Sequence, residues 1–148
     1  MANFLHYHGY QLVVDRINNY GQVPFDKVAT DISLSKIQPG DTIWGFTGKE
    51  GRWYVMGRLD VTWVGSQSNV PSYVTSEHLF EEKKNMACCE SENAGNYRMV
   101  EVEELSYAYL PDYSGGIFVK DLKNAQKMGF LERVDDVFVA EQLNELMF

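Results

Sequence analysis

Cysteine is scarce in this chain: there are two in 148 residues, and those two, Cys88 and Cys89, are neighbours. A disulfide between adjacent residues requires a strained ring at the wrong Cα spacing. A reduced pair in a helical or loop segment is expected, in keeping with a reducing compartment. No run of about 18 apolar residues is present, so no membrane-spanning helix is expected. The opening residues, Met1-Ala2-Asn3-Phe4-Leu5-His6, lack a positive stretch followed by an apolar core and do not read as a secretory signal. The expected location is the cytoplasm. Histidine is also sparse. His6 and His8 alternate on one strand face and His78 is far off in sequence; with the two cysteines they match no zinc spacing. Neither a metal nor another cofactor is expected. The chain has no internal repeat and no low-complexity segment, and it lacks a nucleophile elbow, a P-loop, a zincin helix and a paired-carboxylate motif.

Basic charge is the remaining shortage. The net charge is −8. Up to residue 80, six basic residues face seven acidic ones; beyond it, seven face fourteen. A protein that tracks a phosphate backbone over many nucleotides carries a basic stripe, and none is visible. A protein that captures one base needs fewer phosphate contacts. The length fits one domain, residues 1–148, able to bury a core without staples.

Aromatic residues are plentiful, at 14%. All three tryptophans fall between Ile37 and Val64. Pro39-Gly40-Asp41 reads as a turn, Thr42-Ile43-Trp44-Gly45-Phe46 as a strand of β-branched and aromatic residues, Gly48-Lys49-Glu50-Gly51 as a reversal, and Trp53 to Val64 as the antiparallel return strand. Such flat rings either fill a core or form a slot for a flat ligand such as a nucleobase. Elsewhere, Phe4–Tyr7 reads as a strand, Tyr10–Ile17 as strand or buried helical turn, Asn18–Pro24 as loop and Phe25–Leu34 as a short helix. Gly65–Tyr73 reads as a polar loop, Ser76–Cys89 as a helix and Tyr97–Leu105 as an alternating strand. A turn at 111–116, a strand at 117–119 and helices at 120–127 and 135–147 complete the pattern. Strands and short helices in irregular order predict an α+β domain: a small curved mixed sheet or partly open β-barrel flanked by short helices.

The order of these features resembles the PUA-like superfamily, in its EVE and YTH-like branch. The residues that carry the likeness are Asn18-Asn19-Tyr20, the Pro39-Gly40-Asp41 turn, Ile43-Trp44-Gly45-Phe46, the stretch Val55-Met56-Gly57-Arg58-Leu59-Asp60-Val61, Ser114-Gly115-Gly116 and Ala140-Glu141-Gln142-Leu143. Ile17 stands where the EVE pattern has an arginine, and the usual tryptophan near the chain start is missing. The resemblance implies a non-catalytic domain that binds RNA or DNA and captures a single flipped or single-stranded base, often a modified one, in an aromatic pocket. Trp44, Trp53, Trp63 and Phe46 are then the cage candidates. Asn18 and Asn19 would read a base edge, and Arg52 and Arg58 would meet phosphate. Glu81, Glu82, Glu101, Glu103 and Glu104 are expected to be solvated and to take no part. Two other classes stay open. One is a protein–protein module of a phage or bacterial defence system. The other is an ASCH-like amidohydrolase, for which Lys27, Thr30, Lys36 and Thr42 are the residues to watch.

Overall fold

A computed structural model describes residues 2–21, 23–50, 52–74, 83–101 and 133–134. Its strands form two sheets. The larger has five strands in the order β7-β4-β3-β1-β8, and the smaller has three in the order β2-β6-β5. The strands are β1 (Asn3–Tyr7), β2 (Lys27–Thr30), β3 (Thr42–Lys49), β4 (Arg52–Asp60), β5 (Trp63–Ser66), β6 (Asn85–Cys88), β7 (Val100–Glu101) and β8 (Arg133–Val134); helix α1 spans Tyr10–Tyr20. The large sheet is mixed, because β1 runs parallel to β3 while β3–β4 and β1–β8 are antiparallel. Among the described residues this is a small α+β fold with little helix, and its strands do not close into a barrel.

The aromatic hairpin forms as its sequence predicts. Lys49 pairs with Arg52, so the reversal is shorter than the four-residue turn expected. Glu50 takes φ 54, the left-handed region that tight hairpin turns require. The turn before β3 also behaves as read. Gly40 has φ 98, and Asp41 ties three segments together: its carboxylate accepts from the Ala2 and Gln38 backbone N–H groups, each at 2.9 Å. A bulge sits at Met56, since Gly45 faces Gly57 but Phe46 already faces Val55. Bulges bend a strand and increase its twist. Here Met56 turns into the core beside Gly45.

That core lies between the two sheets and α1. Phe4, Ile43, Met56 and Leu59 come from the large sheet, Val28 and Ala87 from the small one, and Val13 from the helix; Phe25 joins them from the segment before β2. The Phe25 ring lies across the paired glycines Gly45 and Gly57. A Cβ on Gly57 would fall 2.6 Å from Phe25 Cδ1, and one on Gly45 2.9 Å from Phe25 Cζ. Both positions have to be bare for the ring to lie there.

Several expectations are corrected. The return strand does not run unbroken to Val64. It ends at Asp60, and the chain crosses to the second sheet: Val61 N–H still bonds Asp41 O at 2.9 Å, whereas Thr62 N–H bonds Cys88 O at 2.9 Å. Asn18 and Asn19 are not loop residues but belong to the last turn of α1, which stops only at Gly21 (φ 70), where the Gly21 N–H caps Ile17 O at 2.9 Å. A glycine able to take positive φ sets the helix end. The segment 25–34 holds β2 instead of a helix, because pairing with β6 outweighs weak local preference. The helix expected over 76–89 is strand β6 at its C-terminal end, while 75–82 lie outside the described residues. Of the strand expected at 97–105, Val100–Glu101 is strand, and 102–105 lie outside the described residues, as do the elements expected at 111–129 and 135–147.

Candidate functional site

The register of β3, β4 and β1 sorts the proposed site residues by face. Trp44 pairs with Arg58, Phe46 with Val55, and Gly48 with Trp53. These share one face of the large sheet with Leu5 and Tyr7. Trp44 is 2% exposed. Its indole N–H donates to Asn3 Oδ1 at 3.0 Å, and the Arg58 guanidinium carbon lies 5.5 Å from its ring centre. Phe46 is fully buried, and Trp53, 9% exposed, leans on it with ring centres 5.9 Å apart. Trp53 also covers Gly48, where a Cβ would meet the ring at 2.7 Å. These three rings are packed as core side chains are.

The polar partners proposed for them are spread out. Asn18 and Asn19 are exposed at the end of α1, and α1 buries Val13 in the core on the opposite face of the sheet. Arg52 and Arg58 do not share a face either. Arg58 stacks on Trp44 and bonds Asp60 at 2.8 Å. Arg52 pairs with Lys49, whose ammonium caps the Tyr10 ring of α1 at 4.8 Å. Arg52 is also 4.0 Å from Glu101, an exposed contact that adds little. Glu101 is partly exposed, and the other four glutamates named with it lie outside the described residues.

Trp63 is placed differently. It starts β5, an edge strand of the small sheet, and it is half-buried. Its ring folds back over Gly65, where a Cβ would lie 2.9 Å from Trp63 Cζ2. Across the sheet, one row reads Lys27–Cys88–Trp63 and the next Ala29–Met86–Gly65. Met86 and Cys88 are fully buried. Tyr73, 39% exposed, reaches Cys88 Sγ with its hydroxyl at 3.8 Å. Two partly open rings therefore flank a floor that contains sulfur. The polar turn Gln67–Asn69 follows directly, with Asn69 exposed.

Beside this corner lies a group the sequence reading missed, the Asp26–Lys27 ion pair at 2.8 Å, with both side chains under 10% exposed. Two charges this deeply placed require each other; the adjacency of Asp26 and Lys27 in sequence was the available signal. Burial, followed by the Asp26 charge, pushes the Cys89 thiol up to about 11, and burial also raises that of Cys88. Neither is a ready thiolate. The residues named for amidohydrolase chemistry do not gather. Lys27 is held by Asp26, Thr42 bonds Asp60 on the other sheet at 3.0 Å, Thr30 accepts from the Ile32 N–H at 3.1 Å, and Lys36 is exposed. Among the described residues, no group of three or more metal-ligating side chains converges, and no helix is long and apolar enough to cross a membrane.

No protein-family model matches the chain, and neither a curated protein nor a solved structure shows significant similarity to it.

Proposed function

We propose that this chain is a non-catalytic binding domain of PUA-like, EVE-type build that captures a single nucleobase of RNA or DNA, with Trp63 as the stacking surface. One observation carries the reading: of the three tryptophans, Trp63 alone is left half-exposed, its ring edge folded over a bare glycine on a sheet that the exposed Tyr73 also reaches, through Cys88. A base leaving its strand loses stacking, and an aromatic platform restores roughly 1–3 kcal/mol. The Asn69 amide, on the adjoining turn, has the donor and acceptor that a base edge needs. Capture of one base also agrees with a net charge of −8, which disfavours tracking along a backbone.

The test is equilibrium binding of nucleosides and of short single-stranded RNA and DNA, plain and base-methylated, to the wild-type chain and to Trp63→Ala. Binding that weakens by about 1–3 kcal/mol in the variant supports the platform. Unchanged affinity in Trp63→Ala removes Trp63 from the site. Silence toward every base would favour a protein-interaction module.

A further inference from the structure

His6 and His8 lie at the junction of β1 and α1 and point to the same side, two residues apart on an extended chain. His6 is in register with Gly45, on the face where Phe25 and α1 pack. His8 continues that ladder, its N–H donating to Phe46 O at 2.8 Å, and so stands beside Thr47. The rings meet edge to face, with centres 4.2 Å apart and planes at 81°. His6 Nδ1 and His8 Nε2 are 2.7 Å apart. Both residues are buried. The Phe25 ring is 5.6 Å from that of His8. Thr47 Oγ1 is buried with no hydrogen-bond partner among the described residues. From α1, Arg16 reaches in, donating to the Tyr97 hydroxyl at 3.1 Å.

A hydrogen bond between two imidazoles needs one nitrogen with a proton and one without. The neutral pair satisfies this. A first proton can be shared across the bond, but it must sit beside the Phe25 ring and the Gly45 backbone, with the Arg16 charge opposing it. A second proton sets two N–H donors against each other at a separation that permits only one. The pair therefore holds the end of β1 against the sheet only while it stays largely neutral. Burial first, and then the His6 and Arg16 charges, disfavour the charged form of His8. Burial brings His6 down to about 3. In an opened or unfolded chain both rings titrate near the usual 6.5.

We propose that the His6–His8 pair is an acid-sensitive latch, which keeps the start of α1 seated on the large sheet at neutral pH and releases the β1–α1 junction as protons are taken up from solvent. The sign follows from linkage. Above about 6.5 neither closed nor open form binds a proton at these rings, and the latch is at full strength. As pH falls from about 6.5 toward about 3, the open form gains protons that the closed form refuses. The opening constant then rises by up to about tenfold per pH unit for each ring. Elsewhere the start of α1 is held by thinner contacts: Tyr10 rests 6.2 Å from Tyr54, between ring centres, and under the Lys49 ammonium. Gly9, the N-cap, gives no side-chain cap. Release at the histidines thus leaves this end the easier one to lift.

The experiment is amide hydrogen exchange on the wild-type chain at pH 7.5 and pH 5.0, corrected for intrinsic rates, alongside an NMR titration of the two imidazoles. Protection in Tyr7–Val13 should fall at pH 5.0 by about thirtyfold where opening frees one ring and by up to about a thousandfold where it frees both, while Val28, Ala87 and Val64 of the small sheet keep theirs. The double variant His6→Gln/His8→Gln should lose this pH dependence. Should that variant fail to fold, the wild-type data decide alone. Protection that is unchanged between the two pH values, or that falls equally in both sheets, overturns the latch, as does a pH dependence that survives in a folded double variant.

Discussion

In the five-stranded sheet the tryptophans are sealed: Trp44 is 2% exposed under the Arg58 guanidinium and Trp53 is 9% exposed against Phe46. In the three-stranded sheet Trp63 lies half-open across Gly65, on an edge strand. The same residue type, drawn from one stretch of sequence, is core in one sheet and surface in the other. What differs is the covering, not the ring. Trp44 has its N–H satisfied by Asn3 and its face capped by a cation, so little of it is left to offer a ligand. Trp63 has a floor but no such lid among the contacts described.

Removing the rings should break this contrast most visibly. Trp44→Ala takes away a buried indole together with the partners of Asn3 and Arg58, and should cost about 3–5 kcal/mol of stability. Trp63→Ala leaves no sealed cavity and should cost about 1–2 kcal/mol, with the loss appearing in ligand affinity instead. Urea unfolding of both variants measures the difference. Equal losses of stability would mean that Trp63 is also core and would remove the basis of the platform.

The glycines beneath the rings sharpen the same comparison at smaller scale. Gly57→Ala drives a methyl to within 2.6 Å of the Phe25 ring, which is fully buried and flanked by His8 and Tyr97. It should lose about 1–3 kcal/mol by overpacking. Gly65→Ala meets the far edge of the Trp63 ring at 2.9 Å, and that ring has solvent to swing into. Its stability should change by less than about 1 kcal/mol, while the fluorescence of Trp63 and any base affinity shift. A Gly65 variant as unstable as the Gly57 variant would show the Trp63 ring to be locked.

The contrast also explains what could be read from the sequence. The β3–β4 hairpin was legible because its signals are local: a proline-glycine turn, β-branched and aromatic residues, and a glycine-bearing reversal. The small sheet was not. Its strands lie far apart in the chain, at 27–30, 63–66 and 85–88, so no local pattern announces their pairing. Its middle strand, β6, buries Met86, Ala87 and Cys88 in succession, because both faces are covered, and an unbroken apolar run is as good a helix as a strand by periodicity. Lys27 sits buried in β2, paired with Asp26. The clustering of the tryptophans in sequence made all three candidates for a pocket wall without telling wall from core. The crossing at Val61–Thr62 carries Trp63 to another sheet, a tertiary event that composition does not encode. Of the histidines, by contrast, alternation alone placed His6 and His8 side by side.

The smallest expected effect tests whether the hairpin can be strengthened without touching the second sheet. Glu50 holds φ 54 between the paired residues Lys49 and Arg52. A left-handed conformation costs a residue with a Cβ roughly 1–2 kcal/mol, and asparagine bears that conformation better than glutamate. Glu50 is exposed at the tip of the turn, so its replacement disturbs no packing. Glu50→Asn should therefore raise stability by about 0.5–1 kcal/mol. Glu50→Val, β-branched and poorly suited to positive φ, should lower it by a similar amount. Both changes act on a turn of the large sheet, and neither should alter base affinity or the environment of Trp63. Opposite shifts in the urea midpoint, with Trp63 undisturbed, would show that the two sheets can be tuned separately. Shifts of the same sign would mean that the side chain, not the backbone angle, decides the turn.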